Sequence, residues 1–280
     1  MTNDEVVGML IQATNYDGPN IVNLPEGTFK ITRPMVFPRG VQINGAGPVG
    51  ASGWGTILVP SFDIGTNAMF TWDGSDRRGA RGTGGGMKNV TISKPVGSIG
   101  GTAIRCVAID DSHRPGFMEF KRIIINGDHP TGQVAGTWDC GIEIDGMKCV
   151  TDQGMGVRNI YLQNVMVYAC NDALRALNAV HLVASGFLAA SAGGPTSPRV
   201  VISGGLAANQ QSQDVHLDGL QVYGDLVLEN VKDFTCRGRV SRLFLYQQAD
   251  KGIVDIVCKN IGSVPQSPGT MGSVLLRMTK

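Results

Sequence analysis

The sequence predicts an all-β chain wound as a right-handed parallel β-helix, a β-solenoid, with one short α-helix capping its amino end. Three observations lead there: short segments that alternate apolar and polar residues, a coil-length spacing between some of them, and an unusual composition. Gly makes up 39 of the 280 residues, charged residues 17% and aromatics 6%. Such a composition describes many tight turns around a regularly filled aliphatic interior, and it does not describe a helical bundle.

Residues 3–13 form the one convincing helix, with Asn3 or Asp4 able to cap it and Val6, Met9, Leu10 and Ala13 on one face. From Ile21 the pattern becomes short β segments separated by Gly, Pro, Asn and Asp: Ile21 to Leu24, Thr28 to Ile31, Val41 to Ile43 and Thr56 to Val59. Later segments resemble one another. Asn89-Val-Thr-Ile, Arg122-Ile-Ile-Ile-Asn, Asn159-Ile-Tyr-Leu-Gln-Asn-Val, Asp214-Val-His-Leu-Asp-Gly-Leu and Val254-Asp-Ile-Val-Cys-Lys-Asn-Ile each alternate and then turn at Asn or Gly. Between Ile160 and Val215, strand starts near Val180 and Val200 suggest a coil of about 20 residues. Wider spacings earlier are assigned to inserted loops, Asp73 to Gly86 and His129 to Thr137.

A solenoid suits these segments because each coil pairs its strands with the coils above and below, leaving open edges only at the two ends. The helix over residues 3–13 is placed to cover the first of those ends. A β-sandwich would require hairpins, yet neither Asn126-Gly127 nor Asp218-Gly219 sits between two clean alternating strands of equal length. The expected organisation is one domain over 1–280: a cap over 1–20, coils over 21–261 and a closing segment over 262–280.

Several function classes are disfavoured on composition. A net charge of +1 gives no field that would recruit nucleic acid or an anionic membrane. Met1 to Glu5 is acidic and runs into only a brief apolar stretch, unlike a secretory signal. The richest apolar run, Ala176 to Ala192, is broken by Asn178, His181 and Gly186, short of the roughly 18 to 20 residues a span needs. The six cysteines form no CxxC pair or compact cluster, so neither metal nor cofactor is expected. Cys149 to Cys170 and Cys236 to Cys258, 21 and 22 residues apart, fit small reduced thiols stacked in adjacent coils.

The segment Asn23-Leu-Pro-Glu-Gly-Thr-Phe-Lys-Ile, then Val41-Gln-Ile-Asn-Gly-Ala-Gly, then Gly55-Thr-Ile-Leu-Val, resembles the opening coils of the pectate-lyase-like β-helix superfamily. There a Pro-x-Gly-x-Tyr/Phe turn leads to a Gly-x-Gly turn and a Thr-Ile-Leu strand. The resemblance covers about residues 3–59, and the later coils share its rhythm only. It implies the fold more than the function, since the superfamily holds lyases, hydrolases, phage tailspikes and inert virion proteins. It also implies a homotrimer. Gly45-Ala-Gly-Pro-Val-Gly50 fits the dinucleotide fingerprint GxGxxG, but a strand follows where that motif needs a helix to hold pyrophosphate.

Polysaccharide cleavage on a β-helix needs acids projecting from one outer face. Glu143 and Asp145 turn outward together if Ile142 and Ile144 point inward, with the two residues roughly 6.5 to 7 Å apart along the strand. The same pattern describes an ordinary solvated strand face, which the sequence favours. Asp110 and Asp111, near His113 and Arg114, resemble the paired-aspartate turn of polygalacturonase-like enzymes, but that family's Gly-His-Gly turn and Arg-x-Lys strand are missing. His181 and His216 read as structural histidines in apolar alternation. Asn164, Asn230 and Asn260 recur at strand ends and read as an internal amide ladder. GxSxG, HExxH, EF-hand and GxxxxGK[ST] motifs do not occur. Arg77, Arg78 and Arg81 form the densest local charge, in a Gly-rich loop suited to an acidic surface on a neighbouring virion subunit.

The expectation is therefore a non-enzymatic virion protein of a tailed phage, made in the host cytoplasm without a signal peptide. It would be a trimeric capsid decoration protein or a short spike, with its own copies and other virion proteins as partners. The alternative is a tailspike that binds or depolymerises host surface polysaccharide.

Overall fold

The computed structural model describes residues 1–15, 20–48, 55–75, 84–95, 97–110, 115–127, 137–149, 156–168, 170–190, 197–205, 210–246, 250–263 and 275–279. The chain is a right-handed parallel β-helix with one amino-terminal helix, as the alternating segments predicted.

The helix is Asn3–Thr14, and its cap is Thr2, not Asn3 or Asp4. Thr2 and Glu5 form a capping box: the Thr2 hydroxyl accepts from the Glu5 N–H at 3.3 Å, and the Glu5 carboxylate accepts from the Thr2 N–H at 2.6 Å. Asn3 is thereby left for another task. Its amide accepts from the Lys30 N–H (2.6 Å) and donates to the Lys30 carbonyl (3.3 Å), pairing with the open edge of the first coil as a strand would. Val6, Val7, Leu10 and Ala13 are buried against that coil, while Met9 is only partly buried.

Strands Ile21–Asn23, Gly27–Ile31 and Met35–Phe37 make the first coil, and each founds one parallel stack. The first sheet continues through Gln42–Asn44, 86–88, 119–121, 158–163, Ala179–Ser185, 213–218, 232–237, 250–255 and Leu275–Thr279. The second continues through Thr56–Pro60, 91–92, 123–127, 165–168, Leu188–Ala190, 221–222, 239–240 and 257–258. Ala68–Trp72, Thr102–Val107, Trp138–Asp145, Cys170–Leu177, Arg199–Ser203, 225–229, 242–245 and 260–263 complete the third.

Alternation sends every second residue inward, so core side chains stack in columns parallel to the helix axis. One column runs Val22, Ile43, Met87, Phe120, Leu162, Ala184, Leu217, Cys236, Val254, all buried. Near the cap, Phe37, Phe70, Trp72 and Phe120 pack as an aromatic group with centroid distances of 5.2 to 6.2 Å.

Register corrects three expectations. Ile160 aligns with Leu182, and Leu182 with Val215, so these coils are 22 and 33 residues long; Val200 belongs to the third sheet, opposite Leu174. The six thiols are buried and none forms a disulfide, but the two predicted pairs do not stack. Cys236 lies between Leu217 and Val254, Cys258 beside Val240, and Cys170 beside Trp138, because the coil after Cys236 is 18 residues long. The amide ladder also dissolves. Asn164 turns the corner from first to second sheet, Asn230 the corner from third to first, and Asn260 pairs within the third sheet. Asn230 instead shares its corner with the buried Asn178, and each donates its amide to a backbone carbonyl, of Gly205 and Gly146 respectively.

Candidate functional site

The outer face of the first sheet carries a kink that repeats from coil to coil. Phe117, Asn159, His181, Asp214 and Asp233 all adopt left-handed φ values between 50° and 57°. Strand pairing steps over each of them at the same place, from Gly116 to Met118 beside Arg158 and Ile160, and from Val180 to Leu182 beside Gln213 and Val215. Asn and Asp tolerate this conformation through local hydrogen bonding. Phe117 and His181 carry its cost, roughly 1–2 kcal/mol each. Two residues further along, a second outward column reads Glu119, Tyr161, Val183, His216, Thr235.

These two columns meet in a hydrogen-bonded chain. Asp214 faces His181 Nδ1 through Oδ2 at 2.6 Å and His216 Nε2 through Oδ1 at 2.9 Å. The other nitrogen of His216, Nδ1, lies 2.8 Å from the Thr235 hydroxyl. A carboxylate only accepts, so the imidazole nitrogens facing it carry the protons. With the His216 ring neutral, this tautomer leaves Nδ1 as the acceptor for the Thr235 hydroxyl. The N–H of His181, seconded by that of His216, holds the Asp214 carboxyl below its usual range, against a smaller opposing effect of burial. The edge of His181 meets the Tyr161 ring at 5.6 Å and 73°. His181, His216 and Asp214 keep 35%, 42% and 48% of their side-chain surface exposed, so the cluster is open to a ligand.

Just around the corner of the same coils lies a depression of about 250 Å³, lined by Gln221, Val222, Tyr223, Arg239, Val240, Ser241 and Val257. Tyr223 is 64% exposed at its rim. Arg239 is only four residues beyond Thr235 on the strand Val231–Leu245.

The third sheet shows the fate of the predicted acid pair. Ile142 and Ile144 are buried and Glu143 faces away from the core, as alternation requires. Arg105, Glu143 and Arg175 are neighbours in three successive coils. Glu143 accepts from Arg105 Nε at 2.5 Å and from Arg175 at 3.4 Å, with Thr102 at 3.5 Å. Both of its oxygens are engaged. Asp145 accepts from the Met147 N–H at 3.0 Å, closing the turn that follows the strand. In the next column Asp172 receives Arg175 and Arg199, and Asp225 receives Arg242 through two bonds of 2.7 and 2.8 Å. This face is a ladder of alternating charge, built as scaffold.

Asp110 is exposed beyond Val107, and its carbonyl accepts from the Cys149 thiol at 3.6 Å. Asp111, His113 and Arg114, like Arg77, Arg78 and Arg81, lie outside the described residues. Among the described residues, no group of three or more His, Cys, Asp or Glu is placed to hold a metal ion, and no helix is long and apolar enough to cross a membrane.

Sequence reasoning missed the partnership of His181 and His216. Apolar alternation gives structural histidines without partners, because it shows neither the kink, which turns His181 outward, nor the 33-residue coil, which sets Val183 beside His216. The signal present was Asp214-Val-His216, a carboxylate and an imidazole on one face of a strand.

No protein-family model matches the sequence, and no curated protein matches it. Among solved structures, the chain is similar to the A-module of the mannuronan C-5 epimerase AlgE6 of Azotobacter vinelandii, at 13% identity and a TM-score of 0.44, over 90% of this chain and 76% of that one. It is also similar to the ORF18 protein of Geobacillus virus E2, at 13% identity and a TM-score of 0.30, over 93% of this chain and 54% of that one. A third likeness is to the Streptococcus pneumoniae surface protein and adhesin PfbA, at 9% identity and a TM-score of 0.19, over 92% and 91% of the two chains. At these identities and scores they assign neither an activity nor a ligand to this chain.

Proposed function

We propose that this β-helix is a phage virion protein of the spike kind that holds a host surface polysaccharide along the outer face of its first sheet. The observation that carries the proposal is the half-buried, solvent-reaching row of Tyr161, His181, Asp214, His216 and Thr235 beside the Tyr223 depression. Sugar rings present apolar faces that pack on aromatic rings and hydroxyls that bond to carboxylate, imidazole and hydroxyl groups. Successive coils repeat such groups about 4.8 Å apart, which suits an extended chain ligand. The superfamily that the opening coils resemble includes phage tailspikes and virion proteins, and a homotrimer is what that resemblance implies.

Titrating the purified protein with host capsular polysaccharide tests this by calorimetry. Tyr223→Ala and Tyr161→Ala each lower affinity at least about fivefold, since each removes a stacking surface worth more than about 1 kcal/mol. If the wild-type protein binds no polysaccharide and instead saturates purified capsids, a decoration role replaces this one. Light scattering coupled to size exclusion reads the trimer directly.

A further inference from the structure

We propose that Thr235, His216 and Asp214 form an acyl-transfer site that removes O-acyl groups from the glycan held on the first sheet. The substrate class rests on the polysaccharide reading above; the site itself rests on its geometry. A hydroxyl 2.8 Å from an unprotonated imidazole nitrogen, whose other nitrogen is held by a carboxylate at 2.9 Å, is the arrangement that activates an alcohol as a nucleophile. Asp214 and His216 share the strand Ser212–Glu229, and Thr235 lies opposite His216 on the next coil's strand Val231–Leu245, all three reaching solvent that a substrate can displace.

Two further features fit a reactive site better than a decorative hydrogen bond. Asp214 receives a second N–H, from His181, which fixes the carboxylate's orientation from the opposite side. His181 stands in the left-handed row that it shares with Phe117, Asn159, Asp214 and Asp233, and the kink turns its ring outward, where it meets the carboxylate. His181 is thus a positioning residue. Arg237, exposed two residues beyond Thr235 on the same strand, puts a positive charge on this face of the sheet.

The chemistry balances without a cofactor. Thr235 Oγ1 adds to the ester carbonyl carbon while its proton passes to His216 Nδ1. The tetrahedral intermediate collapses, the carbonyl–oxygen bond to the sugar breaks, and His216 returns that proton to the departing sugar oxygen. Water then attacks the acyl-Thr235 ester with His216 taking its proton. Acetate leaves, and Thr235 regains its hydroxyl proton from His216.

The test follows acetate release from p-nitrophenyl acetate and from an O-acetylated capsular polysaccharide, with polysaccharide binding measured on the same samples. Thr235→Ala and His216→Asn lower kcat/KM at least about a hundredfold on both esters, while Thr235→Ser retains activity. Acid-quenched protein carries an acetyl group on the peptide containing Thr235, and Thr235→Ala does not. On p-nitrophenyl acetate, which does not use the polysaccharide row, His181→Asn lowers kcat with KM unchanged, as loss of positioning requires. Wild-type protein that binds the polysaccharide yet releases no acetate overturns the acyl-transfer site and leaves the polysaccharide reading intact. Release through Thr235 without polysaccharide binding does the reverse. A Thr235→Ala protein that melts with the wild type and hydrolyses at the wild-type rate also overturns the site.

Discussion

Lys94 ends the strand Gly86–Lys94 with its side chain fully buried. Its ammonium donates to the Gly100 carbonyl and stands 4.5 Å over the Trp138 ring, with no carboxylate at ion-pair distance among the described residues. Burial pushes its pKa down to about 8, with Asp139 opposing the shift. An unfolded lysine holds its proton to about 10.4, so between these values the unfolded chain binds more protons and stability rises with pH. Lys94→Met keeps the volume and removes the charge. Below pH 8 the variant is more stable by about 3 kcal/mol, and its advantage in thermal midpoint disappears by about pH 10.5. Phe117 presents the opposite problem, a left-handed residue with 54% of its surface exposed. Phe117→Asn relieves the strain and gains about 1 kcal/mol in urea unfolding. The sequence showed that Glu143 faces outward, because alternation alone decides that. It did not show that His181 does, because a kink at histidine leaves no mark in residue type, whereas Asn159, Asp214 and Asp233 in the same row are residues that favour it.

At the scale of the strand, the third sheet's charge ladder replaces the acid pair offered by Glu143 and Asp145. Asp172 is 1% exposed and held by Arg175 and Arg199 from either side. Asp172→Asn puts a neutral amide in a buried position where a carboxylate accepted from two guanidiniums, and costs about 2–3 kcal/mol of unfolding free energy, since both arginines reach solvent. Glu143→Gln costs less, about 1–2 kcal/mol, because Arg175 keeps Asp172 and both arginines reach solvent. Neither change lowers polysaccharide affinity, since the third sheet's outer face is a different surface from the first. Comparing urea midpoints with calorimetric affinities for both variants separates scaffold from site. Strand identity was legible here from the Val- and Ile-rich alternation, but partners were not. Coils of 22, 33, 19 and 18 residues follow one another from Ile160 to Gly252, so no fixed period predicts that Arg105 meets Glu143 or that Asp214 meets His181.

In the whole molecule, each coil rests on its neighbours, and the first rests on the helix. Val22, Phe29 and Met35 are buried, and the strand edges of the first coil have no earlier coil to pair with. Spacing of Val6, Leu10 and Ala13 made this cap legible in the sequence, because an apolar helix stripe beside a strand pattern has few other places to go. The way Asn3 completes the edge was not legible, since it depends on where Lys30 arrives in space. A solenoid's stability is approximately a sum of coil and interface terms, so opening one end exposes a template for pairing with another chain. Leu10→Asp buries a charge against the first coil and undocks the helix. Asn3→Ala removes only the two edge bonds and costs about 1–2 kcal/mol. The Leu10→Asp protein self-associates with a rate that rises with concentration, followed by light scattering, whereas Asn3→Ala stays as dispersed as the wild type. If Leu10→Asp scatters no more than the wild type, the helix is not what protects the first edge.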